Sequence, residues 1–422
     1  MWGRNMTRLC RYLLTTSLSV LGLTACGNVA PPDEVQSSTR QDEVVAEAVP
    51  LPLPLGCLLT SLDTDQDGVC DIVEVVFGTN PNNADTDGDR LSDYVELFGF
   101  GGVDLSALGA NPRKKDIFVE VDYLPGLLPT QDTLNSVITA FAKAPVSNPN
   151  GSTGITLHLV VSQEIAAADV DLDLSPVWTD FDTIKAKYFA ASRAPYFHYM
   201  LFAHRYNGGN SSGISRGLPA QDFVVSLGFW GGVPNVAVAG TLMHELGHNI
   251  GLDHGGNDGA NYKPNYLSIM NYEYQFHGFV IDNIGGVLDY SRVRVAAFSE
   301  QNILETSAFA PIAPTTEADL DRIGGVRVNG VNIFGHAGNF LDFNNNVQVD
   351  NGAYSLDFNR NGFAGDVFPA AQNDWLALIY DGGGQIGFAT PGISRHLDRE
   401  APFLVTPEKM EPCLTVDLAR AP

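Results

Sequence analysis

Positive charge is in short supply in this sequence: Lys and Arg number 24 against 49 Asp and Glu, leaving a formal net charge of −25 over 422 residues. Such a field repels nucleic acid and anionic lipid head groups, which excludes DNA or RNA binding as a general role. Cysteine is also scarce, with 5 in the whole chain, so packed cores rather than a disulfide framework must hold the fold. At about 100–200 residues per domain the length allows two to four domains. Charged residues are only 17% while hydrophobic residues are 44%, a balance that excludes wholesale disorder. The apolar stretch from Leu13 to Leu23 falls short of the ~20 residues a membrane-spanning helix needs. Carboxylate is what the chain has in excess, and carboxylate oxygens are what hard divalent cations require.

Arg4, Arg8 and Arg11 precede that apolar stretch, the order of a secretory signal peptide over residues 1–25. It ends in Leu23-Thr24-Ala25-Cys26, which resembles the lipobox of bacterial lipoproteins and implies a lipid on Cys26. Multiple acylation would hold the protein stably to a bilayer, facing outside the cytoplasm at an outer membrane or cell surface. Residues 26–56, with Ala30-Pro31-Pro32 and Leu51-Pro52-Leu53-Pro54, lack a sustained period and read as a flexible tether. An oxidising compartment favours a disulfide between Cys57 and Cys70, with pairing of either to Cys413 left open.

Residues 57–112 read as a calcium-binding segment. Asp63, Asp65, Asp67, Gly68, Asp71 and Glu74 fall at positions 1, 3, 5, 6, 9 and 12 of a twelve-residue calcium loop. Alternating carboxylates aim their oxygens to one side of a tight turn, and Gly68 supplies its positive φ. Asp85, Asp87, Asp89, Asp93 and Glu96 repeat the pattern, with Arg90 where the glycine belongs. Each loop runs into a short apolar stretch stopped by Gly78 or Gly99, and no matching helix precedes either. The segment therefore resembles bacterial thrombospondin type 3 repeats more than paired EF-hands, which implies structural Ca²⁺.

The strongest motif is His244-Glu245-x-x-His248-x-x-Gly251-x-x-His254. On a helix, residues i and i+4 share a face, so His244 and His248 can ligate one tetrahedral ion at about 2.0–2.1 Å. Glu245 lies beside them as the base for a zinc-bound water. Gly251 ends the helix in a left-handed turn that returns His254 as the third ligand. Three protein ligands leave a fourth position for water, the mark of a catalytic zinc.

Met270 follows His254 by sixteen residues, within Ser268-Ile269-Met270-Asn271-Tyr272. Together the two motifs resemble the metzincin clan of zinc endopeptidases. The resemblance implies an α+β fold, a twisted mixed sheet over the active-site helix, with Met270 as the apolar floor of a Met-turn. Tyr272 resembles the tyrosine that astacins and serralysins keep near zinc, where a phenol can stabilise an oxyanion. Gly255 departs from astacins, serralysins and matrix metalloproteinases alike. Lys115–Tyr123, His254–Asp258 and Leu288–Arg292 are instead similar to bacterial secreted metallopeptidases carrying thrombospondin type 3 repeats.

Periodicity predicts strands over 116–123, 155–161 and 222–228 and helices over 132–144 and 299–306. The catalytic domain is expected over residues 113–309. Residues 310–422, rich in Gly, Asn and Asp, form either a separate module or its completion. Asp357-x-Asn359-x-Asn361-Gly362 opens like a third calcium loop but has Phe368 at its closing position, so a hydrogen-bonded Asx turn is the better reading. Gly208–Gly213 reads as a loop bordering the cleft. The expected activity is hydrolysis of extracellular proteins by one catalytic Zn²⁺, with one to three Ca²⁺. The alternative is a non-catalytic calcium-binding adhesion lipoprotein on the same fold. No cysteine motif indicative of latency lies near Cys57 or Cys70.

Overall fold

The computed structural model describes residues 62–307, 309–393 and 413–414. Cys26, the signal peptide, the tether and Cys57 lie outside the described residues. The two acidic loops lead into short helices α1 (Asp71–Phe77) and α2 (Asp93–Phe98), which end at Gly78 and Gly99 with φ of 78° and 71°. Both stops fall at the anticipated glycines, because these φ values are open to glycine without a Cβ clash. Cys70 is disulfide-bonded. Cys413 is a free, buried thiol, which removes the pairings with Cys413.

The sheet is built from β1 (Asp116–Tyr123), β2 (Thr156–Glu164), β3 (Phe197–Phe202), β4 (Gly213–Ser215) and β5 (Asp222–Val225), in the order β2-β1-β3-β5-β4. Its neighbours run parallel except β4, which pairs antiparallel to β5 at the edge and makes the sheet mixed. Helices α3 (Gln131–Ala142), α4 (Val177–Tyr188) and α5 (Asn235–Asn249) cover it. Strand side chains alternate between two cores, as a period of two requires. Val119, Val121, Met200 and Phe223 pack with Leu134 and Phe141 of α3 and with Leu242 and Leu246 of α5. Phe118, Phe197, Tyr199 and Val224 pack on the other face with Phe181 and Ile184 of α4 and with Leu91 and Val95 of the calcium segment. The calcium segment thus shares a core with the sheet.

The strands and the helix expected near 116, 155, 222 and 132 are present with displaced ends. β3 has no polar alternation because all six of its residues are buried, the pattern of a central strand covered on both faces. The helix expected over 299–306 does not form. Glu300 and Glu305 are instead buried carboxylates that accept backbone N–H groups from Phe358, Gly365 and Asp366, and from Asn344 and Asp350, respectively. These long-range partners outweigh the local helical preference. The described C-terminal residues complete the same core: Trp375 stacks edge-on against Phe141 and donates its indole N–H to Asp289 at 2.9 Å.

Candidate functional site

α5 carries His244, Glu245 and His248 on its buried face, and Gly251 follows with φ 93°. That left-handed residue turns the chain so that His254 stacks 5.3 Å from His244 and meets His248 edge-on at 4.8 Å, ring centre to ring centre. The Nδ1 of His244 lies 3.0 Å from the Ile269 carbonyl, and that of His248 lies 2.7 Å from the Leu252 carbonyl. A carbonyl oxygen only accepts, so each Nδ1 carries the proton and each Nε2 presents a lone pair. Nε2 of His244 and of His254 is buried without a hydrogen-bond partner. Burial, reinforced by the neighbouring histidines, holds His244 and His254 well below the usual imidazole range, and burial brings His248 down to about 4. All three are therefore neutral near pH 7, the ligating form, and the orphaned nitrogens fit a tetrahedral zinc. Both oxygens of Glu245 are likewise buried, the Cys413 thiol lies against the carboxyl, and burial pushes it up to about 8 despite that contact.

Met270 is fully buried beneath α5, where a Cβ on Gly247 would collide with its sulfur. Tyr272 lies with its ring centre 4.5 Å from that of His254 and 5.7 Å from that of His244. Gly213, the last residue of the anticipated cleft loop and the first of β4, stands so near Glu245 that a Cβ there would come 2.5 Å from Oε1. The edge strand therefore passes directly over the base.

One participant carries no signal in the motif spacing. The fourth position, expected to be open, faces Cys413: its sulfur and one nitrogen from each of His244, His248 and His254 all lie within 4.8 Å of one another. Sγ is 4.0 Å from His248 Nε2. Cys413 and Leu414 also bond to the edge strand, with Ser212 N–H donating to the Leu414 carbonyl at 2.8 Å and Ser211 Oγ donating to the Cys413 carbonyl at 2.8 Å.

Of the first acidic loop, Asp63, Asp65 and Asp67 converge within 4.8 Å. Asp71 stands apart because its carboxylate accepts the N–H and hydroxyl of Thr64 at 2.9 and 2.8 Å. Glu74 is buried, with Oε1 accepting from Thr79 and Oε2 unpartnered. In the second loop Asp85, Asp87 and Asp89 converge, while Asp93 serves Thr86. Arg90 takes the glycine's role with φ 77°, and its N–H is held by Asp85 at 2.9 Å. Glu96 joins Asp89 and Asp116, the first residue of β1, in a second buried cluster. Asp116 was not legible as a ligand, since it lies outside both loops. Burial pushes Asp87 up to about 8 and Glu96 well above its ordinary range, with the surrounding carboxylates adding to both. All four oxygens of Asp87 and Glu96 are buried and unpartnered. Such a set is costly without a cation and suits calcium's demand for oxygen ligands.

The candidate third loop is a turn: Asp357 accepts the N–H groups of Asn361 and Gly362, and the Asn359 and Asn361 amides donate to Asp366. No helix among the described residues is long and apolar enough to cross a membrane.

Among curated proteins none matches this sequence. Residues 63–84 match the family model of the bacterial TSP3 repeat. Repeats of that family are calcium-binding and typically occur in extracellular or exported proteins, so the first acidic loop and α1 are similar to an exported, calcium-binding thrombospondin type 3-like repeat.

Proposed function

We propose that this protein is an exported, calcium-stabilised zinc endopeptidase of metzincin type, anchored through a lipid on Cys26 and acting on extracellular proteins. The observation that carries this reading is the convergence of the His244, His248 and His254 ring nitrogens beside a fully buried carboxylate, Glu245. The three histidines would hold the metal. Zinc, when bound, supplies Lewis acidity toward water and a peptide carbonyl. Glu245 Oε1 or Oε2 takes the proton of the attacking water and returns it to the leaving amine. The Tyr272 phenol, beside His254, donates to the oxyanion of the tetrahedral intermediate. The edge of β4, where Cys413 and Leu414 are bonded in this structure, would pair with the substrate backbone and lay the scissile bond over Glu245. Met270 supports α5 from below through the close approach at Gly247. Calcium at the acidic loops keeps the N-terminal segment packed on the sheet.

A second reading is favoured by Cys413. Four protein ligands are the pattern of a structural zinc site, which suits a non-catalytic, calcium-binding adhesion lipoprotein. Casein cleavage separates the two. In a Cys413→Ser background and millimolar calcium, chains with Glu245 and with Glu245→Ala are compared after both are shown to hold one zinc. Cleavage by the Glu245 chain, reduced roughly 10²–10⁴-fold by Glu245→Ala, supports the peptidase. Absence of cleavage by both zinc-loaded chains supports the adhesion reading.

A further inference from the structure

We infer that Cys413 is a built-in latch on the metal centre: its thiolate takes the fourth ligand position, and its backbone, with that of Leu414, occupies the edge strand on which a substrate would pair. The inference rests on the peptidase reading and deepens it by naming how the site is kept latent.

Two independent sets of contacts carry it. The first is the ligand geometry, in which Sγ stands with His244, His248 and His254 inside a 4.8 Å group. Nε2 of His244 and of His254, both buried and unpartnered, marks this as a metal position rather than a chance approach of a thiol to a helix. Ligation would pass the thiol proton to Glu245, which lies against Cys413, or to water, and would leave the sulfur as a soft, anionic fourth donor to zinc. The second is the backbone pairing. Cys413 N–H donates to the Gly213 carbonyl at 3.4 Å, Ser212 N–H donates to the Leu414 carbonyl, and the Cys413 carbonyl accepts from Ser211 Oγ. These are strand-edge contacts of the kind an extended peptide makes. They lie beside Glu245, which Gly213 allows to approach β4 closely.

A permanently closed structural centre would explain the sulfur alone. It would not explain a buried carboxylate set beside the ligands with the Cys413 thiol against it, nor the use of an edge strand by Cys413 and Leu414. Both follow if Cys413 and Leu414 sit where water and substrate go once they are withdrawn.

The test uses the full chain with Co²⁺ in place of zinc, the Cys413→Ser variant, and casein as substrate. Wild type is expected to show a thiolate-to-cobalt charge-transfer band that the variant lacks. Zinc is expected to protect Cys413 of wild type from alkylation, read by mass spectrometry of the labelled peptide, and chelation to expose it. The zinc-loaded variant is expected to cleave casein at least roughly tenfold faster than wild type, the gain from removing a state that excludes substrate. Absence of the band together with unprotected labelling would overturn ligation by Cys413 and leave the peptidase reading standing if casein is cleaved. A thiolate band combined with a zinc-loaded variant that cleaves nothing would overturn the latch, and the peptidase reading with it, in favour of a closed structural centre. Protection from alkylation is read in wild type alone, so the ligation arm survives if the variant folds poorly.

Discussion

Asp89 Oδ2 accepts the backbone N–H of Asp116 at 2.6 Å, and the carboxylates of both residues share a buried cluster with Glu96. The second acidic loop is thereby fastened to the first residue of the central sheet. A cation bound there neutralises carboxylates contributed by both elements, so calcium binding and the stability of the sheet become linked.

Asp116→Asn should therefore weaken calcium stabilisation although Asp116 lies in neither loop. A tenfold loss in affinity corresponds to about 1.4 kcal/mol at saturating calcium. Calorimetric melting with and without calcium reads it. Asp71→Asn should alter calcium affinity less, because Asp71 is turned to Thr64 and lies in none of the convergent carboxylate groups, whereas Asp116, though also bonded to His158 and the Asn111 N–H, lies in one. Equal effects of the two variants on affinity would contradict this ranking.

Gly247→Ala should destabilise the chain by about 1–3 kcal/mol, since its Cβ would meet the Met270 sulfur and crowd Tyr290. Combining it with Met270→Ala should cost less than the two single changes added, the signature of residues in contact. Urea unfolding of the four chains gives the coupling. Strict additivity would separate Met270 from the floor of α5.

His198 predicts an acid sensitivity. It is fully buried in β3, its Nδ1 faces the Asn249 amide at 3.3 Å, and burial, with the Lys185 charge assisting, lowers it to about 4. The unfolded chain takes up the proton near 6.5 while the folded chain does not, so stability is full above 6.5 and falls as pH drops toward 4. Between pH 7 and pH 5 the loss amounts to about 2 kcal/mol. Unfolding at saturating calcium should show this slope in wild type and a shallower one in His198→Gln; the same slope in both would assign it to other groups.

Tyr272→Phe, in the Cys413→Ser background, should lower kcat on a peptide substrate roughly 10²-fold with KM nearly unchanged, as loss of a donor used only in the transition state requires. A rise in KM at constant kcat would make Tyr272 a substrate-binding residue instead.

Local spacing made much of the site readable. His244, Glu245 and His248 are set by one turn of helix, Gly251 by the left-handed residue after it, and the acidic loops by carboxylates at alternate positions. α1 and α2 end at their glycines for the same local reason. The helix expected over 299–306 failed because Glu300 and Glu305 find their partners on distant loops, contacts that no window of neighbouring residues contains. β3 was hidden by its complete burial, which erases the alternation that betrays a half-exposed strand.

The sequence by itself determined which histidines and loop carboxylates form the candidate site and the chemistry of those donors, because helical and loop geometry act over a few residues. Tertiary structure decided which surfaces meet at that set. Sheet order brought the β4 edge over Glu245, strand packing brought Asp116 to the second acidic loop, and chain return brought Cys413 beside the three histidines. The physical reason is that such contacts depend on burial and strand pairing across the whole core, which residue spacing along the chain does not encode.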